Sequence, residues 1–283
     1  MNEHNEIPYQ LVAADWAVPA NLRAFTTCRV GGTSSGKYGA MLDVSSAADS
    51  SEESVPGSRG FGLNLGASCG DDPERVAENR RILRLTLPSE PHWLTQVHGT
   101  GLLEFDAPPR RTAVLSPSPN IADAAITLRA GVVLSVLSAD CLPIFMCNRE
   151  ADAIGICHAG WRGVAAGIVE ASARKLSSRR PGSKCWIAHL GPAIGAEYFE
   201  VGDDVRAAFC SQHSADAKYF TPLRMPGKYL ANLYELASRR LRDAGFQTIT
   251  GGAYCTVRDE ELFYSYRRDR QTGRMASLIW MEL

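Results

Sequence analysis

The sequence predicts a single mixed α/β domain, and three observations lead to this prediction. Short apolar runs that end in turn residues alternate with segments whose apolar residues recur near the helical period. No shift in composition divides the 283 residues into two units, and this length suffices for one large domain. Hydrophobic residues make up 45% of the chain and charged residues 22%, which is ordinary for a globular protein.

The patterning places strands and helices along the whole chain. The predicted strands are residues 22–27, 92–100, 102–105 (paired with the strand before it), 131–137, 153–158, 184–190, 248–254 and 275–282. One helix follows Asp72, which caps it, with Pro73 at the first position. Other helices follow residue 161 and begin near residue 202, and a last one spans residues 233–244 between the cap Asn232 and Gly245.

Two segments are predicted to lie outside the ordered domain. Residues 1–8 are polar and are expected to form a flexible tail, which leaves residues 9–283 for the domain. Residues 43–60 are rich in Ser, Ala, Glu, Pro and Gly and are expected to be a disordered insertion.

A glycine-rich segment at residues 28–38 matches two motifs, and we reject both. The P-loop pattern fails because Tyr38 stands where a Ser or Thr must bind magnesium, and no helical pattern follows. The nucleophile-elbow pattern fails because the segment leads into another glycine-rich loop instead of a helix. The segment is therefore predicted to be a flexible loop, with Arg29 as its side chain of interest.

Charge and cysteine usage narrow the class of partner. The formal net charge is −1, so no basic excess favours nucleic acid as a partner. The eight cysteines form no Cys-x-x-Cys pair, and the N-terminus lacks the apolar core of a signal peptide, so we expect a cytoplasmic protein. The longest apolar run, at residues 130–147, is too interrupted for a membrane span. The sequence is compatible with a monomer but does not determine the oligomeric state.

Three residues at strand ends suggest a metal site. His98 follows one predicted strand, Cys141 follows a second, and His158 ends a third. Imidazole and thiolate ligands suit zinc, and catalytic zinc sites typically have three protein ligands. The spacing alone is weak evidence, since a single histidine or cysteine is more often an ordinary core residue.

The segments around these residues resemble the three signatures of the YfiH-like family. They are QVHG at residues 96–99, SADCLPI at 138–144 and HAGWRG at 158–163. The resemblance extends from about Leu22 to Ile279, through further matching segments such as residues 29–32, 63–66, 190–195 and 263–268. Proteins of that family are described variously as polyphenol oxidase ("laccase domain"), purine nucleoside phosphorylase and peptidoglycan editing factor.

The resemblance implies a fold, a cofactor and an activity. The implied fold is one α/β domain with β-sheets flanked by helices, similar to the catalytic domain of a deamidating bacterial toxin. The implied cofactor is zinc, held by His98, Cys141 and His158, which would also be the catalytic residues. The implied activity is phosphorolysis of adenosine, inosine and methylthioadenosine, with some adenosine deamination, so the partners would be a nucleoside and phosphate.

Five further residues are candidates for substrate binding. Arg162 stands next to a predicted helix N-terminus and is the first candidate for phosphate, with Arg29 and Arg267 behind it. Gln96 and Asn64 belong to segments that resemble the family and complete the substrate-binding set. Asp140 adjoins Cys141, and a capping or supporting hydrogen bond is the ordinary role for such a residue.

Three alternatives stay open at this point. A copper-dependent polyphenol oxidase is disfavoured because the chain has six histidines and no His-x-His pair, although one copper ion could occupy the proposed zinc site. A metal-free hydrolase or amidase would use Cys141 as nucleophile with His158 or His98 as base, and would fit peptidoglycan precursor editing. A purely structural zinc is disfavoured because no fourth ligand is evident.

Overall fold

The structure, a computed structural model, describes residues 7–40, 60–109 and 120–283. Its strands are β1 (Leu11–Ala13), β2 (Leu22–Thr27), β3 (Val30–Ser34), β4 (Pro91–His92), β5 (Leu102–Glu104), β6 (Ala124–Thr127), β7 (Val133–Ser138), β8 (Leu142–Asn148), β9 (Ile154–Ala159), β10 (Trp186–Leu190), β11 (Glu200–Gly202), β12 (Phe220–Pro222), β13 (Lys228–Ala231), β14 (Phe246–Gly251) and β15 (Met275–Met281). Its helices are α1 (Pro73–Arg84), α2 (Trp161–Ala166), α3 (Ile168–Arg179), α4 (Asp203–Cys210), α5 (Leu233–Asp243) and α6 (Tyr266–Asp269).

Two large sheets form the centre of this single mixed α/β domain. One has five strands in the order β1-β2-β15-β7-β4, and the other has six in the order β14-β10-β8-β9-β6-β5. A small third sheet has the order β11-β13-β12. Pairing is mixed: β8 and β9 are antiparallel, whereas β10 and β14 are parallel. The chain passes between the two large sheets several times, and one of these passages is the turn between β7 and β8.

The two sheets pack face to face, and helices cover their outer faces. Alternation along β8 shows this: Phe145 and Cys147 join the core between the sheets, whereas Leu142, Ile144 and Met146 face the helical side. Side chains of α3 and α5 complete that outer core, and Leu83 of α1 packs on the far face of the five-stranded sheet. The layers are therefore helix, sheet, sheet, helix, and apolar residues on both strand faces explain the long apolar runs.

The predicted helix caps are confirmed. The Asp72 carboxylate accepts a hydrogen bond from the backbone N–H of Glu74, 2.9 Å away, at the start of α1. The Asn232 amide oxygen accepts from the N–H of Glu235 at 3.1 Å at the start of α5. Gly245 follows that helix with a φ of 92°, the left-handed conformation that glycine adopts without strain.

Several predicted elements differ from the structure. The segment predicted as a flexible loop contains β3, because it packs against α1: a Cβ at Gly32 would lie 2.5 Å from the Asn79 amide oxygen. Its glycines therefore serve close packing instead of flexibility. The strand predicted at residues 92–100 stops at His92, and residues 102–104 pair with β6 in the other sheet. The helix after Trp161 is broken at Gly167, whose φ is 97°.

Two predicted segments fall largely on residues outside the described ranges. Residues 1–6 of the predicted tail and 43–59 of the predicted insertion are not among the described residues. Within the described ranges, no helix combines the length and the apolar character needed to cross a membrane.

Candidate metal centre and active-site cavity

His98, Cys141 and His158 converge where the two large sheets meet. Cys141 lies in the turn between β7 and β8, and His158 lies on β9 beside the start of β8. His98 follows β4 in an irregular segment, with its backbone in the left-handed region at a φ of 59°. The candidate ligand atoms of the three side chains all lie within 4.8 Å of one another. The predicted set is therefore brought together, in a geometry that could hold a metal ion.

The three side chains differ in exposure: His158 is buried, Cys141 is half-buried and His98 is exposed. Burial raises the pKa of the Cys141 thiol, but the neighbouring His158 and His98 rings outweigh it and lower that pKa to about 6. Burial lowers the pKa of His158, whereas Cys141 and Asp123 raise it to about 9. The site therefore favours a thiolate, the form of cysteine that binds metals or acts as a nucleophile.

Asp123, which the sequence analysis did not single out, supports the candidate metal centre through hydrogen bonds. Its buried carboxylate lies 2.9 Å from Nδ1 of His158. It also accepts the backbone N–H groups of Val97, His98 and Gly99, at 3.2, 2.9 and 2.8 Å. The available signal was an isolated acidic residue at the edge of an otherwise apolar strand, since buried aspartates are rarely found without partners.

The residues present fit a thiophilic metal ion such as zinc or copper. Two imidazoles and a thiolate are ligands that both metals accept. Gly160 leaves the space open, because a Cβ at that position would lie 2.9 Å from Sγ of Cys141 and 3.2 Å from Cδ2 of His98. The bond between His158 Nδ1 and Asp123 leaves the Nε2 atom of His158 for a ligand bond.

The centre opens into a cavity of about 1140 Å³. Among the predicted substrate-binding residues, Arg162, Arg267 and Gln96 line it. The Arg162 guanidinium lies 4.4 Å from the centroid of the Trp161 ring, and it makes no hydrogen bond or ion pair with any other described residue. Helix α2, at whose start Arg162 stands, has only six residues, so the contribution expected from a helix dipole is small.

Asp140 fixes the position of Arg267. Its carboxylate accepts hydrogen bonds from the Thr256 hydroxyl and from the Arg267 backbone N–H, both at 2.6 Å. The Arg267 side chain donates to the backbone oxygens of Tyr198 and Glu200 and lies 5.5 Å from the centroid of the Phe199 ring. The ordinary supporting role considered for Asp140 thus matches its contacts.

The side chains of the other predicted substrate contacts form hydrogen bonds within the protein. Arg29 is buried, donates to the backbone oxygens of Gly39 and Glu260, and does not line the cavity. Asn64 is also buried outside the lining and holds neighbouring loop groups. Gln96 lines the cavity, but its amide makes two hydrogen bonds to the Leu137 backbone, at 2.7 and 2.8 Å. These contacts fit structural roles for the three side chains.

The sequence analysis also missed most of the aromatic and basic lining. Trp161 and Phe199 line the cavity beside the two arginines that stack on them, and exposed Tyr266 lines it as well. The further lining arginines are Arg80 and Arg274. The lining thus offers cations and ring faces around one candidate metal centre. Trp161 carried a sequence signal because it lies with His158 and Arg162 in one motif, and Tyr266 did so because it lies in the matching segment 263–268.

Comparisons with known proteins identify the family of this chain. The family model described as multi-copper polyphenol oxidoreductase laccase matches residues 23–282. A Pseudomonas aeruginosa protein named purine nucleoside phosphorylase is 41% identical over 268 residues, which cover 95% of this chain and 97% of that protein. An Escherichia coli protein named purine nucleoside phosphorylase YfiH is 40% identical over 275 residues, covering 96% and 99% of the two chains.

Comparison with solved structures also indicates this family. A Neisseria meningitidis protein assigned to DUF152 has a TM-score of 0.81 and 36% identity, over 97% of this chain and all of that one. YlmD of Geobacillus stearothermophilus has a TM-score of 0.75 and 28% identity, over 93% of each chain. The chain belongs to the YfiH family, whose model carries the laccase description and whose relatives share its sequence and fold.

Proposed function

We propose that this protein is a zinc-dependent purine nucleoside phosphorylase. The observation that carries the proposal is one cavity whose lining combines the His98, Cys141 and His158 cluster with four arginines and several aromatic rings. The names of relatives at about 40% identity support the same activity. The substrates would be adenosine, inosine or methylthioadenosine together with inorganic phosphate.

Phosphorolysis makes two demands that these residues can meet. A phosphate oxygen attacks the anomeric carbon of the ribose, the bond from that carbon to the purine nitrogen breaks, and the departing purine takes up a proton. Arg162 and Arg267 are the phosphate contacts in this proposal, since guanidinium groups bind phosphate oxygens in a fixed geometry. Trp161 and Phe199 offer ring faces for the purine.

The metal would be held by His98, Cys141 and His158. When bound, it supplies a Lewis acid that polarises a substrate atom. The protein orients these ligands through Asp123 and keeps the space beside them free through Gly160. The eight cysteines of the chain are all described and all free, which supports a reducing compartment such as the cytoplasm as the place of the reaction.

The test is a product analysis with matched variants. Purified protein of known zinc content is incubated with adenosine, with and without phosphate, and the products are separated by chromatography. We expect adenine and ribose 1-phosphate only when phosphate is present. Inosine formed without phosphate would instead identify deamination as the main reaction. Absence of turnover in zinc-replete protein contradicts the proposal.

Two cysteine variants connect the activity to the cluster. Cys141→Ala should lose zinc and phosphorolysis together, because it removes the thiolate ligand. Cys185→Ala is the control, since Cys185 lies outside the cavity lining and should keep both. Retention of stoichiometric zinc by Cys141→Ala would contradict the metal assignment.

A second candidate function is a cysteine hydrolase or amidase. The observation in its favour is the chain of contacts from Cys141 to His158 and from His158 to Asp123, the order of a nucleophile, a base and an orienting carboxylate. This activity would persist in metal-free protein and would stop when Cys141 is alkylated. Phosphorolysis that follows the zinc content excludes it as the main reaction.

A further inference from the structure

Asp123 connects two of the three candidate ligands through one carboxylate. The residue has no solvent exposure, and its salt-bridge partner in the described part of the chain is the His158 ring alone. Its backbone is fixed as well: its N–H donates to the Gly101 oxygen at 2.9 Å, and its oxygen accepts from the His158 N–H at 2.7 Å. A buried carboxylate is costly unless its oxygens are fully hydrogen-bonded, so the four donors around it hold it firmly.

The four donors are divided equally between the two carboxylate oxygens of Asp123. Oδ1 receives the backbone N–H of His98 and the Nδ1–H of His158, both at 2.9 Å. Oδ2 receives the N–H groups of Val97 and Gly99, at 3.2 and 2.8 Å. Both histidines are therefore held by the same oxygen, one through its backbone and one through its ring.

The His98 backbone requires such support. Its φ of 59° is uncommon for a residue with a Cβ and costs free energy unless surrounding contacts impose it. In this conformation three successive N–H groups converge on one point, as they do in backbone anion sites. The anion at that point is the Asp123 carboxylate, so its charge stabilises the turn that carries His98.

We propose that Asp123 is a positioning residue that presets His98 and His158 for the metal before the ion binds. The proposal rests on the metal centre of the proposed function. Asp123 holds one proton of His158 on Nδ1, so that Nε2 is the ring nitrogen left to bind the metal. At the same time it holds the turn that directs His98 towards the same point. The candidate ligand atoms then already lie within 4.8 Å of one another, so metal binding does not have to order these side chains.

Asp123→Asn tests this arrangement because the amide fails in either orientation. If its oxygen takes the Oδ1 position, its NH₂ faces the N–H groups of Val97 and Gly99, and the turn loosens. If its oxygen takes the Oδ2 position, its NH₂ faces the His98 N–H and the His158 ring. The His158 proton then moves to Nε2, where it blocks the ligand bond. The side-chain volume is nearly unchanged.

The experiment measures the affinity for Zn²⁺ and Co²⁺ by competition with a chelator in wild-type protein, Asp123→Asn and the control Asp216→Asn. Asp216 is an equally buried aspartate that binds Arg239 and Arg240, away from the cavity lining. We expect metal affinity to fall about 10- to 100-fold in Asp123→Asn, the usual effect of removing a partner of a ligand histidine. We expect no change in Asp216→Asn, although it too should unfold at a lower temperature.

The absorption spectrum of the Co²⁺ protein provides a second readout. A change in its ligand-field bands in Asp123→Asn, with the wild-type spectrum in Asp216→Asn, shows altered ligand geometry, which a loss of stability alone would not produce. If Asp123→Asn does not fold, Asp123→Glu keeps the charge and shifts the oxygens by one methylene, with the same loss expected. Wild-type affinity and spectrum in a folded Asp123 variant overturn the proposal.

The two proposals fail in different ways. If wild-type protein binds one metal ion and Asp123→Asn binds it weakly, but nucleosides are not phosphorolysed, the positioning role stands and the proposed function falls. If wild-type protein is an active phosphorylase and Asp123→Asn binds metal as tightly as wild type does, the function stands and the positioning role falls.

Discussion

Replacing Gly160 with alanine should damage the candidate metal centre while leaving the backbone unstrained. The φ and ψ of Gly160, −64° and 158°, are open to any residue, so the added methyl group acts only through its contacts. Its Cβ would lie 2.9 Å from Sγ of Cys141 and 3.2 Å from Cδ2 of His98. Two of the three candidate ligands must therefore move to accommodate it.

The size of this movement decides the outcome. Ordinary contact begins near 3.4 Å, so Sγ must shift by about 0.5 Å. A zinc–sulfur bond is about 2.3 Å long, and its length varies by only about 0.2 Å among well-formed sites. The shift exceeds that tolerance. Overpacking costs about 1–3 kcal/mol. If this cost falls entirely on the metal-bound state, metal affinity drops by about 5- to 150-fold.

The assay compares Gly160→Ala with Gly182→Ala by chelator competition for Zn²⁺, by phosphorolysis at limiting zinc and by thermal unfolding. A Cβ at Gly182 meets no atom within 4 Å, so that variant controls for the loss of a glycine. We expect weakened metal binding and activity in Gly160→Ala alone. Full zinc affinity in a folded Gly160→Ala protein would refute the reasoning, because the ligands would then have room that the structure does not show.

Three further predictions concern the phosphate contact, pH and a helix cap. Steady-state kinetics should show that Arg162→Ala lowers kcat/KM for phosphate by a factor equivalent to about 1.5–3 kcal/mol. Arg206→Ala is the control, because it removes an arginine that stacks on Tyr229 outside the cavity lining, and it should leave kcat/KM unchanged. Burial lowers the pKa of His189 to about 4. As the pH falls, the unfolded chain therefore takes up the proton before the folded chain does. The free energy of unfolding should consequently fall by at most about 3 kcal/mol between pH 6.5 and pH 4. His189→Asn should remove that part of the pH dependence in urea titrations, and an unchanged pH profile would contradict it. Asn232→Ala should cost about 0.5–2 kcal/mol of stability by thermal or urea unfolding while leaving zinc affinity unchanged, and a neutral effect would contradict the capping role.

Local chemistry made many strands and two helix caps predictable from the sequence. Apolar runs indicated strands such as β2, β7, β9, β10 and β15, and Asp72 and Asn232 marked helix starts because capping depends on neighbours in the chain. The three candidate ligands stood out because each is a metal-binding residue type at a strand end. Their convergence followed only from the resemblance, since spacings of 43 and 17 residues fix no geometry.

What the sequence could not show depends on contacts between distant segments. Asp123 is 35 residues from His158 and reads as one more strand-edge residue until the fold brings its oxygens to the site. Arg29 belongs to a segment that matches the family, yet its guanidinium is used by backbone oxygens of Gly39 and of Glu260, 231 residues away. A family motif therefore identifies residues that matter without separating those that build the cavity wall from those that face the cavity.

The histidines decide what the copper description of the family implies for this chain. The chain has six histidines and no His-x-His pair. His92 stacks on a phenylalanine ring and binds a backbone oxygen, and His189 binds a threonine hydroxyl. In the described ranges, the cluster able to hold a metal is that of His98, Cys141 and His158. Three ligands at one point suit one ion, whereas a trinuclear copper centre needs many more histidines. Measuring activity against zinc content and against copper content separates phosphorolysis from phenol oxidation at this cluster.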